Sequence, residues 1–483
     1  MGADESGITC TIKNGLVRGE TTDGGLVRYL GIPYAKAPVG ALRFRTAQPC
    51  DDWEGVRDCI EKSKDPVQGT DSTRWSGFSE DCLYLNVYKP DCGNEVLPVL
   101  AFVYGGSYDS GGTSGYSFES LSRETRAIVV SMNYRVSALG FLNFSDLSPE
   151  FDDNLGLGDV LLALRWIHDN ISSFGGDPAN VTLWGQSAGA GIVSAMMLNP
   201  LARECFQKAF IMSNCWESFC TPDEGRQLRD QYLSALGLTV ENVELLKTMD
   251  ISSLMKGVSG ITGLGELGTT QFQPVFDGGI FNLPPLWADY QDISMPVMVG
   301  TTNDEARLFT RFIPGKAVRE MLKDDTAILQ NVDKSVQLQL FSSYKGFPSK
   351  KAAGKILTDL MYKVPSTRWA DNYSAGAPVY FYRYDAYPLL SGVLGLKSCH
   401  ACDLLMLVSD KPGKAARNFL QYIAGFLHDG EPSAQGLPQW LPYTEDERNV
   451  LIINSKCEPD KNIYSREMDR YDGINPLLKK SFR

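Results

Sequence analysis

The stretch Val181-Thr182-Leu183-Trp184-Gly185-Gln186-Ser187-Ala188-Gly189 limits what this chain can fold into more than any other. A β-prone run passes into Gly-x-Ser-x-Gly, and a small-residue segment with helical character, residues 188–198, follows. A strand that turns into a helix through one residue must bend sharply, so the positions two places either side must be small. Gly185 and Gly189 meet that demand. The bend leaves the Ser187 hydroxyl at its tip, where a nucleophile would stand. A purely structural turn needs no chemical partners elsewhere in the chain, and those partners decide between the two readings.

Further strand-like runs occur at 99–104, 127–132, 181–184, 209–212, 296–300, 379–384 and 450–453. Helical patterns lie between several of them, at 155–174 and 415–427 among others. Strands alternating with helices predict an α/β fold: a mostly parallel central sheet flanked by helices. Residues 8–12, the turn Asn14-Gly15 and residues 16–18 predict an N-terminal hairpin. Residues 222–360 read as helices and loops around one strand, a helix-rich cap or insertion within a single domain spanning 1–483. Neither an internal repeat nor a Pro/Gly/Ser linker divides the 483 residues.

The formal net charge of −12 disfavours a phosphate-binding surface, so nucleic acid is not an expected partner. No apolar run approaches a membrane span in length, and Met1 to Ser6 carry no signal-peptide pattern. A cytoplasmic protein is therefore expected. Its eleven cysteines are an odd number without a compact disulfide spacing, which predicts mostly reduced thiols. Cys399 and Cys402 flank His400 in a Cys-x-x-Cys, but no second ligand cluster accompanies them, so neither a metal nor another cofactor is expected.

A serine hydroxyl needs a base, and histidine titrates in the useful range. The chain offers three. His168 falls inside a helical pattern and reads as a surface residue. His428 ends a helix, and His400 lies in a polar loop beyond a late strand. The order Ser, acid, His with the histidine after the final strands favours His400 and leaves His428 as the alternative. The acid is expected in the loop leaving the 296–300 strand, where Asp304 and Glu305 are equally placed by spacing. Gly105, Gly106 and Ser107, after the 99–104 strand, would offer backbone N–H groups to a developing oxyanion, together with Ala188.

These residues resemble the type-B carboxylesterase family, the carboxylesterase/cholinesterase branch of the α/β-hydrolases. The resemblance runs over YLGIPYAKAPVGALRF (29–44), EDCLYLNVY (80–88), VYGGS (103–107), NYRVSALGFL (133–142), NLGLGDVLLALRWI (154–167), FGGDPANVTLWGQSAGA (174–190) and PVMVGTTNDE (296–305). It implies the α/β-hydrolase fold and assigns the acid to Glu305, the base to His400 and the oxyanion amides to Gly106, Ser107 and Ala188. Three departures accompany it. Ala306 replaces a glycine, HACD (400–403) replaces HGxE, and Ser107 replaces the third glycine of the oxyanion loop. The upstream half of a disulfide to Cys82 is missing, with Cys50 or Cys59 the possible substitutes. The choline-binding tryptophan has no match, Trp75 being too close to Cys82.

The function this implies is cofactor-independent hydrolysis of a small-molecule carboxylic ester through Ser187, His400 and Glu305. Trp216 and Phe219, in the loop after the elbow, are expected near the acyl pocket and suggest an apolar substrate. Transfer of the acyl group to an alcohol or amine is the alternative, and a non-catalytic scaffold a third reading.

Overall fold

The computed structural model describes residues 8–69, 77–216, 218–261, 272–324 and 334–472. Met1 to Ser6 and Trp75 lie outside the described residues. The strands are β1 (Ile8–Ile12), β2 (Gly15–Thr21), β3 (Val27–Pro33), β4 (Val56–Asp58), β5 (Asp65–Pro66), β6 (Phe78–Ser79), β7 (Tyr84–Lys89) and β8 (Leu97–Val103). They continue with β9 (Ile128–Met132), β10 (Gly176–Gln186), β11 (Lys208–Met212), β12 (Val297–Thr302), β13 (Val379–Tyr384), β14 (Asn449–Ile453) and β15 (Glu458–Lys461). Among the described residues thirteen of them form one sheet, ordered β1-β2-β3-β7-β9-β8-β10-β11-β12-β13-β14-β15 with β4 beside β2. Every neighbouring pair from β9 across to β14 is parallel. The flanks on both sides are antiparallel, apart from β4, which runs parallel to β2. This is the α/β-hydrolase architecture expected from the sequence.

The parallel strands read as unbroken apolar runs because both faces of the sheet are covered. All residues of β8, β9, β11 and β12 are buried. Helix Lys414–Asp429 packs with helix Glu119–Thr125 and against β8 and β10, and helix Ala188–Leu198 packs against β8, β10 and β11. In register, Trp184 stands directly beside Phe102 on one neighbour and Phe210 on the other. The rings touch, with centroids 4.5 Å and 5.8 Å apart. A one-residue slip would turn this whole row to the other face, so the aromatic contacts pin the register. The pinned register ends β8, β10, β11 and β12 close together along one edge.

Where the structure differs from the sequence reading, local causes are visible. β10 begins at Gly176 rather than 181, because its register shifts between Gly176 and Val181, where Pro178 and polar neighbours hide the strand pattern. The N-terminal hairpin turns at Lys13-Asn14, and Gly15 already pairs with Ile12. Gly15 takes φ +151°, and a Cβ there would meet the Trp53 indole at 2.7 Å. β3 and β7, unassigned from the sequence, add the antiparallel side of the sheet. None of the described helices is long and apolar enough to cross a membrane.

A buried ion pair braces the segment after β9 against the helix Leu155–Asn170. Asp159, fully buried on helix Leu155–Asn170, accepts from Arg135 at Nε (2.8 Å), Nη2 (2.7 Å) and the backbone N–H (2.9 Å). Arg135 also donates to the Arg45 carbonyl at 2.9 Å. Removing one partner strands a buried charge and costs about 3–5 kcal/mol. Asp159→Ala is therefore expected to lower the unfolding free energy by that much, read as a lower urea midpoint at unchanged m, whereas Arg135→Met with Asp159→Leu should recover most of the loss. Equal midpoints for wild type and Asp159→Ala in a urea titration would refute the bracing role.

Candidate active site

The chain runs from β8 to β9 on one side and, after β9, returns to β10 on the other side of β8. Such a reversal opens a crevice beyond the carboxyl ends of the two diverging strands. The loop after β8 and the elbow after β10 both open there. Ser187 takes φ +58° and ψ −127°, a strained conformation for a residue with a side chain. The glycines around it are fixed by contact. A Cβ on Gly185 would lie 2.4 Å from the Gly189 backbone, and one on Gly189 would lie 2.1 Å from the Val103 carbonyl oxygen. The elbow thus presses β10 and the following helix against the end of β8.

The N–H groups of Gly106, Ser107 and Ala188 take their directions from the carbonyls of their own peptides. A trans peptide points its C=O and N–H in opposite directions. The Gly106 carbonyl accepts from the amides of Asp109 (3.1 Å) and Ser110 (3.0 Å), which turns the Ser107 N–H the other way. The Gly105 carbonyl is packed toward Gly111, where a Cβ would approach it to 2.5 Å, and this directs the Gly106 N–H away from that side. The Ser187 carbonyl accepts from Gly191 N–H at 3.0 Å, so the Ala188 N–H opens at the helix N-terminus. Gly106 needs its own freedom: φ is +132°, and a Cβ would lie 2.0 Å from the Ser110 carbonyl oxygen. Ser107 adopts φ +58°, the left-handed region a glycine would occupy without strain.

Glu305 lies three residues beyond β12 and is fully buried. Its Oε1 accepts from Ser213 Oγ at 2.7 Å and from the Thr302 N–H at 2.6 Å. Its Oε2 stands 2.7 Å from His400 Nδ1. The backbones are tied as well, since the His400 N–H donates to the Glu305 carbonyl at 3.2 Å. The neighbouring carboxylate is engaged elsewhere: Asp304 pairs with Arg307 at 2.6 Å. His168 faces Asp169 at 3.4 Å on an exposed helix surface, and His428 Nε2 donates to the Thr125 carbonyl at 3.1 Å. Of the three histidines, His400 alone meets Glu305.

The other ring nitrogen of His400 reveals a neighbour the sequence reading passed over. Gln186 Nε2 lies 3.1 Å from His400 Nε2. An amide NH₂ only donates, so the Nε2 facing it carries the lone pair and the proton sits on Nδ1 toward Glu305. That tautomer is the one a base needs in order to take a serine proton through Nε2. Phe309 and Tyr362 flank the imidazole, with ring centroids at 5.3 Å and 5.0 Å. Gln186 was in plain view inside the pentapeptide, and Ser213 directly follows a strand-like run. Phe309 and Tyr362 carried no signal of position.

The departures from the family pattern fall into two kinds. Ala306 sits at φ −66°, where any residue fits. Ala401 takes φ +62°, so the alanine after His400 holds a left-handed conformation. Asp403 is fully buried and accepts from Tyr382 Oη at 2.8 Å and the Leu404 N–H at 2.9 Å. Burial and the nearby charge of Glu305 push its carboxyl up to about 6. All eleven cysteines are free, so neither Cys50 nor Cys59 is bonded to Cys82.

Trp216 and Phe219 are packed inward. Trp216 is 1% exposed, donates from Nε1 to Ser366 Oγ at 2.9 Å and stacks on Trp369 at 4.7 Å. Phe219 packs on Phe281 at 4.7 Å. The rings in contact with the imidazole are those of Phe309 and Tyr362.

A family model described as the carboxylesterase family matches residues 6–471. The chain belongs to the carboxylesterase family. Among its relatives, the para-nitrobenzyl esterase of Bacillus subtilis (strain 168) is 31% identical, over 92% of this chain and 94% of that protein. The phenmedipham hydrolase of Pseudarthrobacter oxydans is 30% identical over 91% and 93%. A solved PNB esterase structure superposes with a TM-score of 0.84 at 30% identity, covering 96% of this chain and 99% of that one. Membership makes this chain a carboxylic ester hydrolase of the α/β-hydrolase fold.

If Glu305 fixes the imidazole tautomer, Glu305→Gln should lower kcat by about 10²–10⁴-fold, as loss of a triad carboxylate does. Asp304→Asn, which breaks only the pair to Arg307, should stay within about fivefold of wild type, because a partly exposed pair contributes little. Steady-state turnover of a p-nitrophenyl ester measures both, and the reverse ranking would exclude Glu305 as the acid.

Proposed function

We propose that Ser187, His400 and Glu305 act as a catalytic triad on a largely apolar small-molecule ester. The observation that carries this reading is the 2.7 Å contact of His400 Nδ1 with the buried Glu305, beside a serine held in a strained elbow. Ser187 Oγ attacks the ester carbonyl as its proton passes to His400 Nε2, displacing the Gln186 amide from that lone pair. Glu305 stabilises the imidazolium that forms. The negative charge on the carbonyl oxygen is met by the N–H groups of Gly106, Ser107 and Ala188, backed by the helix Ala188–Leu198. Collapse of this intermediate breaks the bond to the alkoxy oxygen, which leaves with the proton from His400. Water, deprotonated by the same imidazole, then cleaves the acyl-enzyme and returns Ser187. The step requires no cofactor.

The aromatic walls of Phe309 and Tyr362 support an apolar substrate. In contact with the imidazole, these two rings join Trp216 and Phe219 as candidate substrate contacts. The chain is read as one hydrolase domain in which the helices within 222–360 form a cap around β12. A second, smaller core there, containing Val318, Leu322, Leu340, Phe341, Ile356 and Leu357, supports that division of labour. Eleven free thiols support a reducing, cytoplasmic location.

Ser187→Ala should abolish turnover of p-nitrophenyl esters by about 10³-fold or more with an unchanged thermal midpoint, since no second nucleophile stands at the elbow. Retention of a tenth of the activity would exclude Ser187. The same assay run with a primary alcohol present separates hydrolysis, which yields free acid, from acyl transfer, which yields a new ester.

A further inference from the structure

Between helix Lys350–Thr358 and helix Val364–Tyr373 the chain makes one π-helical turn, Asp359–Lys363. Pro365 follows that turn and cannot supply the N–H that an α-helical bond back to Met361 requires. Buried polar contacts hold the turn at both ends. Tyr344 Oη donates to Asp359 Oδ2 at 2.8 Å, and Lys363 Nζ donates to the Asn303 carbonyl at 2.9 Å while lying 3.9 Å from Asp359 Oδ1. A π turn inserts a residue and rotates the side chains beside it, and such turns recur at functional sites. Here the turn sets Tyr362 against the catalytic imidazole at 5.0 Å, with its plane inclined by 42°.

Tyr362 is 2% exposed, and its hydroxyl makes no hydrogen bond to a described residue. A buried phenol is normally paired. Tyr344, Tyr382, Tyr443 and Tyr464 all are. Tyr88, Tyr108 and Tyr384 are unpaired too, but of these four Tyr362 is the one whose ring stands against the His400 imidazole. Burial, with Cys215 and Glu305 nearby, holds the phenol well above its ordinary range, so it remains a neutral O–H able both to donate and to accept.

We propose that Tyr362 Oη binds substrate, and that the site takes a largely apolar ester carrying one hydrogen-bonding oxygen or nitrogen within a few atoms of the ester group. This rests on the Ser187 ester hydrolase reading and names the substrate class of that site. Without such a group, binding would leave the phenol desolvated and unpaired, which penalises hydrocarbon esters. If instead the ring serves only as a wall for His400, the hydroxyl is dispensable for every ester alike.

Two pairs of esters matched in length separate the alternatives. p-Nitrophenyl pentanoate and p-nitrophenyl 3-methoxypropanoate differ by one oxygen on the acyl side, and butyl acetate and 2-methoxyethyl acetate by one on the alcohol side. Tyr362→Phe keeps the ring and removes only the oxygen. In at least one pair it should lower kcat/KM of the oxygen-bearing member by about three- to tenfold, mainly through KM, the worth of one neutral hydrogen bond. The hydrocarbon member should change by less than about twofold. Unchanged ratios in both pairs would overturn the proposal while leaving the hydrolase reading intact. Failure of the wild-type protein to cleave any of the four would overturn the hydrolase reading itself, and the proposal with it.

Discussion

Ser187 is held at φ +58° because the chain on either side of it has no room to lie elsewhere. Gly185 abuts Gly189, Gly189 abuts the carbonyl of Val103, and a Cβ on Gly105 would meet the Gln186 carbonyl oxygen at 2.5 Å and Ser187 Cβ at 2.9 Å. Three glycines thus let β8 and β10 end in contact, and that contact brings the loop Gly105-Gly106-Ser107 beside Ser187. The strain, of order 1–3 kcal/mol for such a conformation, persists because the aromatic row Phe102–Trp184–Phe210 fixes the register below it. Position at the sheet edge is therefore set by the packing of the core.

The proposed acid and base are placed by a different device. Glu305 has no strand of its own to stand on, and its carboxylate is oriented by donors from two neighbouring strand ends, Ser213 after β11 and Thr302 at the end of β12. With Oε1 so occupied, Oε2 is left for His400. The loop bearing His400 is then fastened to the acid's own loop through the Glu305 carbonyl, and Asp304 N–H donates to the Ser398 carbonyl at 2.9 Å. Lys363 ties the π-helical turn to Asn303, so Tyr362, Glu305 and His400 share one set of anchors. A change in that turn would therefore be felt at the imidazole.

The parallel strands were legible in the sequence because burial on both faces leaves continuous apolar runs, and the elbow because sterics permit so few residues there. The choice between Asp304 and Glu305 was not legible from spacing, since adjacent carboxylates in a loop differ only in which way the backbone turns them. The resemblance favoured Glu305, and the structure pairs Asp304 with Arg307. β3 and β7 went unread because antiparallel flanking strands lack a long apolar run. Trp216 and Phe219 were expected near the acyl pocket from their place after β11, but their partners, Ser366 and Trp369 for the one and Phe281 for the other, depend on a loop direction that the sequence does not carry. Tyr362 was invisible because a π turn breaks the helical period by which a sequence assigns faces.

The central claim, that His400 activates Ser187, is tested most directly by labelling with a fluorophosphonate, which needs an activated hydroxyl and no substrate contacts of its own. Mass spectrometry of the digested protein should locate a single adduct, on the peptide containing Ser187. The labelling rate should fall by about 10³-fold or more in folded His400→Ala protein and remain at the wild-type value in His428→Ala. Labelling at a different residue, or an undiminished rate in His400→Ala, would contradict the account.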